Sequence, residues 1–268
     1  MSILNLDAYV VGQVDYSARC RKITLAVPLR EPVRAGQFCH LRCADGTDPL
    51  LRRPLSFWDV RTFDDAWANV DLLYTVVGRG TAALAGKGPL DTVGFLGPLG
   101  TGFTPSDAGT CLFVAGGVGI VPFYLFAKQL LAGGRKPRIE LLFGGRTEEM
   151  LYGIDDFAGI GVETHAATED GSRGTKGLVT DLLERRLRKL DRKGTMLYTC
   201  GPDRMIDAVV RIARREKLPC EVSMERRMGC ALGACGACVA KVSDGDDWRY
   251  SRICIEGPTY DAARLVLE

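Results

Sequence analysis

Four cysteines are the strongest chemical signal in this chain. Cys230, Cys235 and Cys238 form a C-x4-C-x2-C loop, and Cys254 follows after fifteen further residues. Three thiolates in one tight loop plus a remote fourth is the plant-type spacing for a 2Fe–2S centre. The loop reads GCALGACGAC, almost entirely Gly, Ala and Cys. Such small residues let the backbone wrap closely and aim its N–H groups at sulfur, one of the levers on cluster potential. A structural zinc site also needs four thiolates, but it usually brings two separated C-x2-C-type pairs. Unliganded thiols are the third reading. The remaining cysteines, at 20, 39, 43, 111, 200 and 220, have no ligand spacing. Five of them read as small buried hydrophobes. Cys200 stands apart because of its neighbours.

Those neighbours are glycine turns. LFVAGGVGIVPF runs from Leu112 to Phe123, an apolar strand followed by Gly116, Gly117 and Gly119 and then a helix carrying Pro122. Glycines there let a ligand approach the backbone, and the helix start offers unpaired N–H groups to a pyrophosphate. It is not a strict G-x-G-x-x-G fingerprint, and a plain strand–helix turn is the competing reading. A second turn, Cys200-Gly201-Pro202-Asp203, closes another apolar strand. In a parallel sheet both turns lie on the same ligand-binding edge, which favours a dinucleotide. Nearer the amino terminus stands Arg52-Arg53-Pro54-Leu55-Ser56. An arginine can hold a phosphate bidentately and a serine can hydrogen-bond a flavin ring nitrogen. Gly80-Thr81, before a short helix, suits the same phosphates, although a surface Arg pair and a turn would look alike.

The elements that must position these groups follow two patterns. Residues 1–100 read as β structure, with short strands near 8–14, 22–27, 37–42, 55–60, 70–77 and 92–96 and turn residues between them. Six such strands predict an antiparallel barrel or sandwich. The Gly- and Pro-rich segment 97–105 reads as a linker. Strands near 111–115, 138–143, 161–165 and 196–200 then alternate with helices over 119–131, 179–190 and 202–216. That alternation predicts a Rossmann-like parallel α/β domain over 101–224. Residues 225–268 fit neither pattern and hold the cysteine loop, so they read as a small cluster domain.

Composition narrows the class. The 268 residues are 46% hydrophobic and 25% charged, which excludes a disordered chain. Thirty-five Lys+Arg against 33 Asp+Glu leave a net charge of +2, so no basic field for nucleic acid is expected. Two histidines, His40 and His165, argue against His-rich metal sites and a Ser/His triad. The start lacks a basic n-region followed by an apolar h-region, and the longest uncharged stretch is broken by glycines and a proline. No secretory signal, no membrane span and a cytoplasmic setting with reduced thiols are the expectation.

Taken together, the chain resembles the ferredoxin–NADP reductase superfamily: a flavin-binding β-barrel followed by a nicotinamide-binding α/β domain. Arg53-Pro54-Leu55-Ser56 matches its flavin motif R-x-Y/F-S, with Leu55 in the aromatic position. Gly-Gly-x-Gly-x-x-Pro at 116–122 and Cys-Gly-Pro at 200–202 match its nicotinamide motifs. Within that superfamily the whole chain is similar to the electron-transfer subunits of dihydroorotate dehydrogenase B. That likeness rests on RRPLS, LLYTVVGRGT, ATEDGSRGTKGLVTDLL, the cysteine loop and the closing ICIEGPTYDA. It implies FAD on Arg53, Pro54, Leu55, Ser56, Leu73, Tyr74, Thr75, Gly80 and Thr81, with Thr75 where an arginine is common. It implies NAD(H) on Gly116, Gly117, Gly119, Pro122, Gly201 and Pro202, with Cys200 beside the nicotinamide. It also implies a separate FMN-containing barrel as catalytic subunit, an α2β2 heterotetramer, and a role in de novo pyrimidine (UMP) biosynthesis. No motif here binds dihydroorotate, so that site is expected in the partner.

Weaker features have plainer readings. Arg226, Arg227, Arg249 and Arg252 read first as a solvated rim round the cluster. His165 reads as a structural histidine. Arg146 can meet a 2′-phosphate, but one arginine does not outweigh the family's NAD. Two rival functions stand beside the leading one. One is an NAD(P)H-dependent reductase serving an oxygenase, sulfite reductase or hydrogenase; the other is a zinc-stabilised nucleotide-binding regulator.

Overall fold

In the computed structural model, which describes residues 3–29, 31–64 and 66–267, the first segment forms seven strands. They are β1 (Leu4–Asp15), β2 (Cys20–Val27), β3 (Phe38–Arg42), β4 (Arg53–Ser56), β5 (Asp59–Thr62), β6 (Ala68–Thr75) and, after helix α1 (Arg79–Ala85), β7 (Thr92–Leu99). Their order is β4-β3-β7-β1-β2-β6-β5, every pairing antiparallel. Alternation explains the burial: Ile23, Leu25 and Val27 of β2 point into the core while Thr24 and Ala26 are only half-buried. The expected barrel takes the form of a half-barrel, with β4 and β5 at its two ends. One expected strand, over 55–60, is two. Phe57 and Trp58 are consecutive and both fully buried, whereas a regular strand sends neighbours to opposite faces, so the chain breaks there.

The next segment builds β8 (Thr110–Gly116), α2 (Val121–Ala132), β9 (Arg138–Gly145), α3 (Ile154–Gly159), β10 (Glu163–Thr168), β11 (Thr175–Lys176), α4 (Val179–Leu187), β12 (Thr195–Cys200), α5 (Asp203–Glu216) and β13 (Cys220–Ser223). These six strands are parallel in the order β11-β10-β9-β8-β12-β13. Helices α2 and α3 pack one face and α4 and α5 the other. The chain leaves β8 in one direction through β9 and β10, then returns to lay β12 on its other side. The switch point of the sheet therefore lies between β8 and β12, the place where open α/β sheets bind ligands.

Aromatic packing locks the two sheets together. Trp58, just past β4, stacks on Tyr124 of α2 with ring centroids 4.5 Å apart and planes 2° from parallel. Phe157 of α3 meets both rings edge-on. Lys128 of α2 donates to both carboxylate oxygens of the buried Asp59, at 2.7 and 2.8 Å.

The last segment adds a hairpin, β14 (Val239–Asp244) with β15 (Asp247–Arg252), then α6 (Ile253–Glu256) and β16 (Thr259–Asp261). Strand β16 pairs antiparallel with β13 and so extends the α/β sheet. The segment is also tied to the start of the inter-sheet connection: the Thr101 N–H donates to the Gly257 carbonyl at 2.5 Å, and the Thr259 hydroxyl donates to the Gly102 carbonyl at 2.9 Å.

Candidate redox site

The four cysteine sulfurs form two pairs. Cys230 and Cys235 have their Sγ atoms 3.4 Å apart, and Cys238 and Cys254 lie beside each other. Among the described residues, no three of these sulfurs lie mutually within 4.8 Å. Cys235 is exposed and Cys230 half-buried, whereas Cys238 and Cys254 are buried. Ala231 takes a left-handed backbone, with φ +56°, in the turn that aims amides at sulfur. The N–H groups of Leu232 and Cys235 donate to Cys230 Sγ at 3.3 and 3.4 Å. Those donors favour the thiolate and hold the Cys230 thiol down at about 7. Burial, with Cys238 beside it, pushes Cys254 up to about 12. Bound iron would reverse that logic and deprotonate both outright.

The rim arginines are mostly paired. Arg249 and Arg252 donate to the Glu256 carboxylate at 2.7 and 3.3 Å, and Arg252 also donates to the Gly233 carbonyl at 3.3 Å, bracing the cysteine loop. Arg226 pairs with Asp203 at 2.6 Å. His165 lies 3.0 Å from Glu163 in a network with Glu140, Arg138 and Arg186, in keeping with a structural histidine.

The expected flavin residues converge. Arg53, Pro54, Leu55, Ser56, Leu73, Tyr74, Thr75 and Thr81 all line one cavity of 300 Å³, joined by Val118 and Val121 from the glycine turn. Gly80 lies behind it, and a Cβ there would meet the Arg53 guanidinium at 2.7 Å. Its missing side chain is the space Arg53 occupies. The Tyr74 hydroxyl donates to Gln13 Oε1 at 2.7 Å, while Gln13 Nε2 donates to carbonyls at the end of α1 at 2.9 and 2.7 Å. That chain of bonds fixes α1 against β6. A second cavity, of 620 Å³, shares Arg53, Pro54, Ser56 and Glu225 with the first and extends towards Met228 and Pro258. The combined cleft has the concave, mostly apolar character of a cofactor site.

The two nicotinamide motifs touch. Strands β8 and β12 are neighbours, with Ala115 opposite Cys200. Gly119 sits against the Cys200–Gly201 peptide, and a Cβ on it would lie 2.6 Å from the Gly201 nitrogen. Pro202 caps α5, and Pro122 opens α2, where its missing N–H costs nothing. Cys200 is 1% exposed, with Ser223 opposite it on β13, and burial pushes its thiol far above the ordinary range. The other five spacing-free cysteines are buried as expected.

Glu225 was not foreseen. It lines both cavities and its charge acts on the Cys200 thiol. Protein crowding round the cleft, with Asp203 nearby, raises its own carboxyl above the usual value. The only sequence signal was its place just after a buried strand, one of many such positions.

Residues 225–266 match the iron–sulfur cluster binding domain of dihydroorotate dehydrogenase B, and residues 113–211 match the oxidoreductase NAD-binding domain. Over 263 residues the chain is 41% identical to the "Dihydroorotate dehydrogenase B (NAD(+)), electron transfer subunit" of Geobacillus kaustophilus, spanning 96% of this chain and 97% of that one. The chain belongs to this family. The dihydroorotate dehydrogenase B subunit from Lysinibacillus sphaericus is 38% identical over 262 residues, with the same shares covered. Among solved structures, the NADH-dependent reduced ferredoxin-NADP oxidoreductase studied for flavin-based electron bifurcation superposes with a TM-score of 0.83. Its identity is 28%, covering 97% of this chain and 90% of that one. A Neisseria gonorrhoeae ferredoxin NADP+ reductase with bound FAD and NADP shares the fold at a TM-score of 0.68 and 18% identity, covering 79% and 91%. The dihydroorotate dehydrogenase B family thus accounts for a reductase fold followed by an iron–sulfur segment. No helix among the described residues is long and apolar enough to cross a membrane.

Proposed function

We propose that, as the electron-transfer subunit of an NAD-dependent dihydroorotate dehydrogenase B, this chain passes electrons between NAD and a catalytic partner through FAD and a 2Fe–2S cluster. The observation that carries this reading is the single cleft. Its walls hold the flavin motif, with Val118 and Val121 of the first glycine turn at one end and the chain leading into the cysteine loop at the other. The cysteine spacing, three in one loop and one remote, supports two irons over one zinc, which usually brings two separated C-x2-C-type pairs.

Flavin supplies the chemistry that joins two-electron hydride transfer to one-electron transfer. The residues supply position. Arg53, seated in the space left by Gly80, would hold phosphate, and Ser56 would hydrogen-bond the ring edge. Backbone amides of Gly116–Gly119 before α2 would receive the pyrophosphate. Glu225 on the cleft wall, with Cys200 buried behind it, would border the place where nicotinamide meets flavin. The exposed Cys235, with Leu232 and Ile255 also exposed beside the loop, faces the catalytic subunit. We read that partner as an FMN-containing barrel in an α2β2 assembly, in the cytoplasm and in pyrimidine biosynthesis, where dihydroorotate is oxidised to orotate. The segments 1–100, 101–224 and 225–268 correspond to the FAD, NAD and cluster roles.

Co-expression with a candidate catalytic subunit tests the proposal. Stable co-purification with orotate-dependent NADH oxidation is the expected result. NADH oxidation that responds only to artificial acceptors would favour a reductase serving another protein. Protein purified without oxygen and lacking both flavin and iron–sulfur absorption would overturn both.

A further inference from the structure

The flavin cleft and the cysteine loop meet at one side chain. Met228 is 9% exposed, lines the larger cavity together with Arg53, Pro54 and Ser56, and stands two residues before Cys230. It belongs to one packed apolar body with Phe38 and Leu99 of the half-barrel and with Cys238 and Cys254 of the cluster segment. Phe38 lines the same cavity beside it. The link between Met228 and Cys230 is itself tight: a Cβ on Gly229 would lie 3.2 Å from Cys235 Sγ.

We infer that Met228 is a positioning residue coupling the flavin site to the cluster, its thioether filling the gap between the cleft wall and the cysteine loop. The inference rests on the flavin reading of the cleft. The step it serves moves one electron from reduced flavin to ferric iron of the cluster, and no bond forms or breaks. Its rate depends on continuous packing between the two sites and on keeping water out. An unbranched, polarisable thioether fits irregular gaps where branched chains leave voids. A void forfeits its contacts, and water entering it raises the local dielectric. Met224, also on the cavity wall, is six residues from the first ligand and is the natural control.

Met228→Ala, Met228→Leu and Met224→Leu variants in the cofactor-loaded protein test this. All three should retain wild-type FAD and iron content and the same spectrum of the reduced cluster. NADH should bleach the flavin at the wild-type rate in each. Cluster reduction after that bleaching should slow several-fold in Met228→Ala and remain close to wild type in both leucine variants. Independently, hydroxyl-radical footprinting should show Met228 protected several-fold when FAD is bound, with Met150 unchanged. Undiminished cluster reduction in Met228→Ala, or equal labelling of Met228 with and without FAD, would overturn the inference. If Met228→Ala loses its cluster, the footprint alone decides. Missing flavin or cluster signals in the unaltered protein would instead sink the functional reading itself.

Discussion

Gly119 of one glycine turn rests directly on the Cys200 carbonyl of the other, with no space for a side chain between them. The two motifs are eighty residues apart in sequence, and they become one surface because β8 and β12 are adjacent at the switch point.

Gly119→Ala should therefore push the turns apart. Overpacking of this kind costs about 1–3 kcal/mol. NADH affinity and the rate of flavin bleaching should fall together while the spectrum of the chemically reduced cluster stays unchanged. Wild-type NADH kinetics in this variant would show that the contact yields without consequence.

Cys254→Ser removes a proposed ligand, wholly buried beside Cys238. Iron and acid-labile sulfide should drop to near zero, while NADH still bleaches the flavin. Iron analysis and anaerobic stopped-flow absorbance measure the two halves separately. Unchanged cluster content would remove Cys254 from the ligand set.

Trp58→Ala should destabilise the junction between the half-barrel and α2. The lost ring is buried and stacked on Tyr124, and truncating such an aromatic costs about 3–5 kcal/mol. A lowered denaturation midpoint with both cofactors still bound is the expected outcome. A midpoint within error of wild type would show that the stack contributes little.

His40 gives a pH prediction. It is fully buried, and neither ring nitrogen has a hydrogen-bond partner among the described residues. Burial, with Arg52 and Arg53 adding repulsion, holds its pKa down at about 4. The unfolded chain takes up that proton near 6.5. The neutral ring's contribution is therefore complete above 6.5, and stability is lost as pH falls from there towards 4, by up to about 3 kcal/mol. Urea midpoints compared across this window should show a steeper acid dependence in wild type than in His40→Leu. Parallel curves would exclude His40 as the source.

The parts of the molecule legible in the sequence were those with a period or a spacing. Alternation along β2 and the apolar run of β8 located their strands, and the cysteine spacing located the loop. What escaped was set by contacts distant in sequence. The break at Phe57–Trp58 arises because both rings are claimed by the core and by α2. Glu225 gains its place from two cavities built by other segments. The hairpin turn at Gly245, with φ +64°, lay within reach, since Asp-Gly-Asp between short apolar alternations is turn chemistry. The three residues of β16 carry no such pattern at all.

Those three residues have a consequence for how this chain can be taken apart. A fragment ending before residue 225 would keep every strand from β1 to β13 yet leave the whole outer side of β13 uncovered. Bare strand margins recruit other chains, so such a fragment should associate with itself, despite retaining both nucleotide regions. The iron–sulfur segment is in that sense a structural closure as well as an electron carrier, and a reductase half could not be inherited or engineered free of it without a replacement cover.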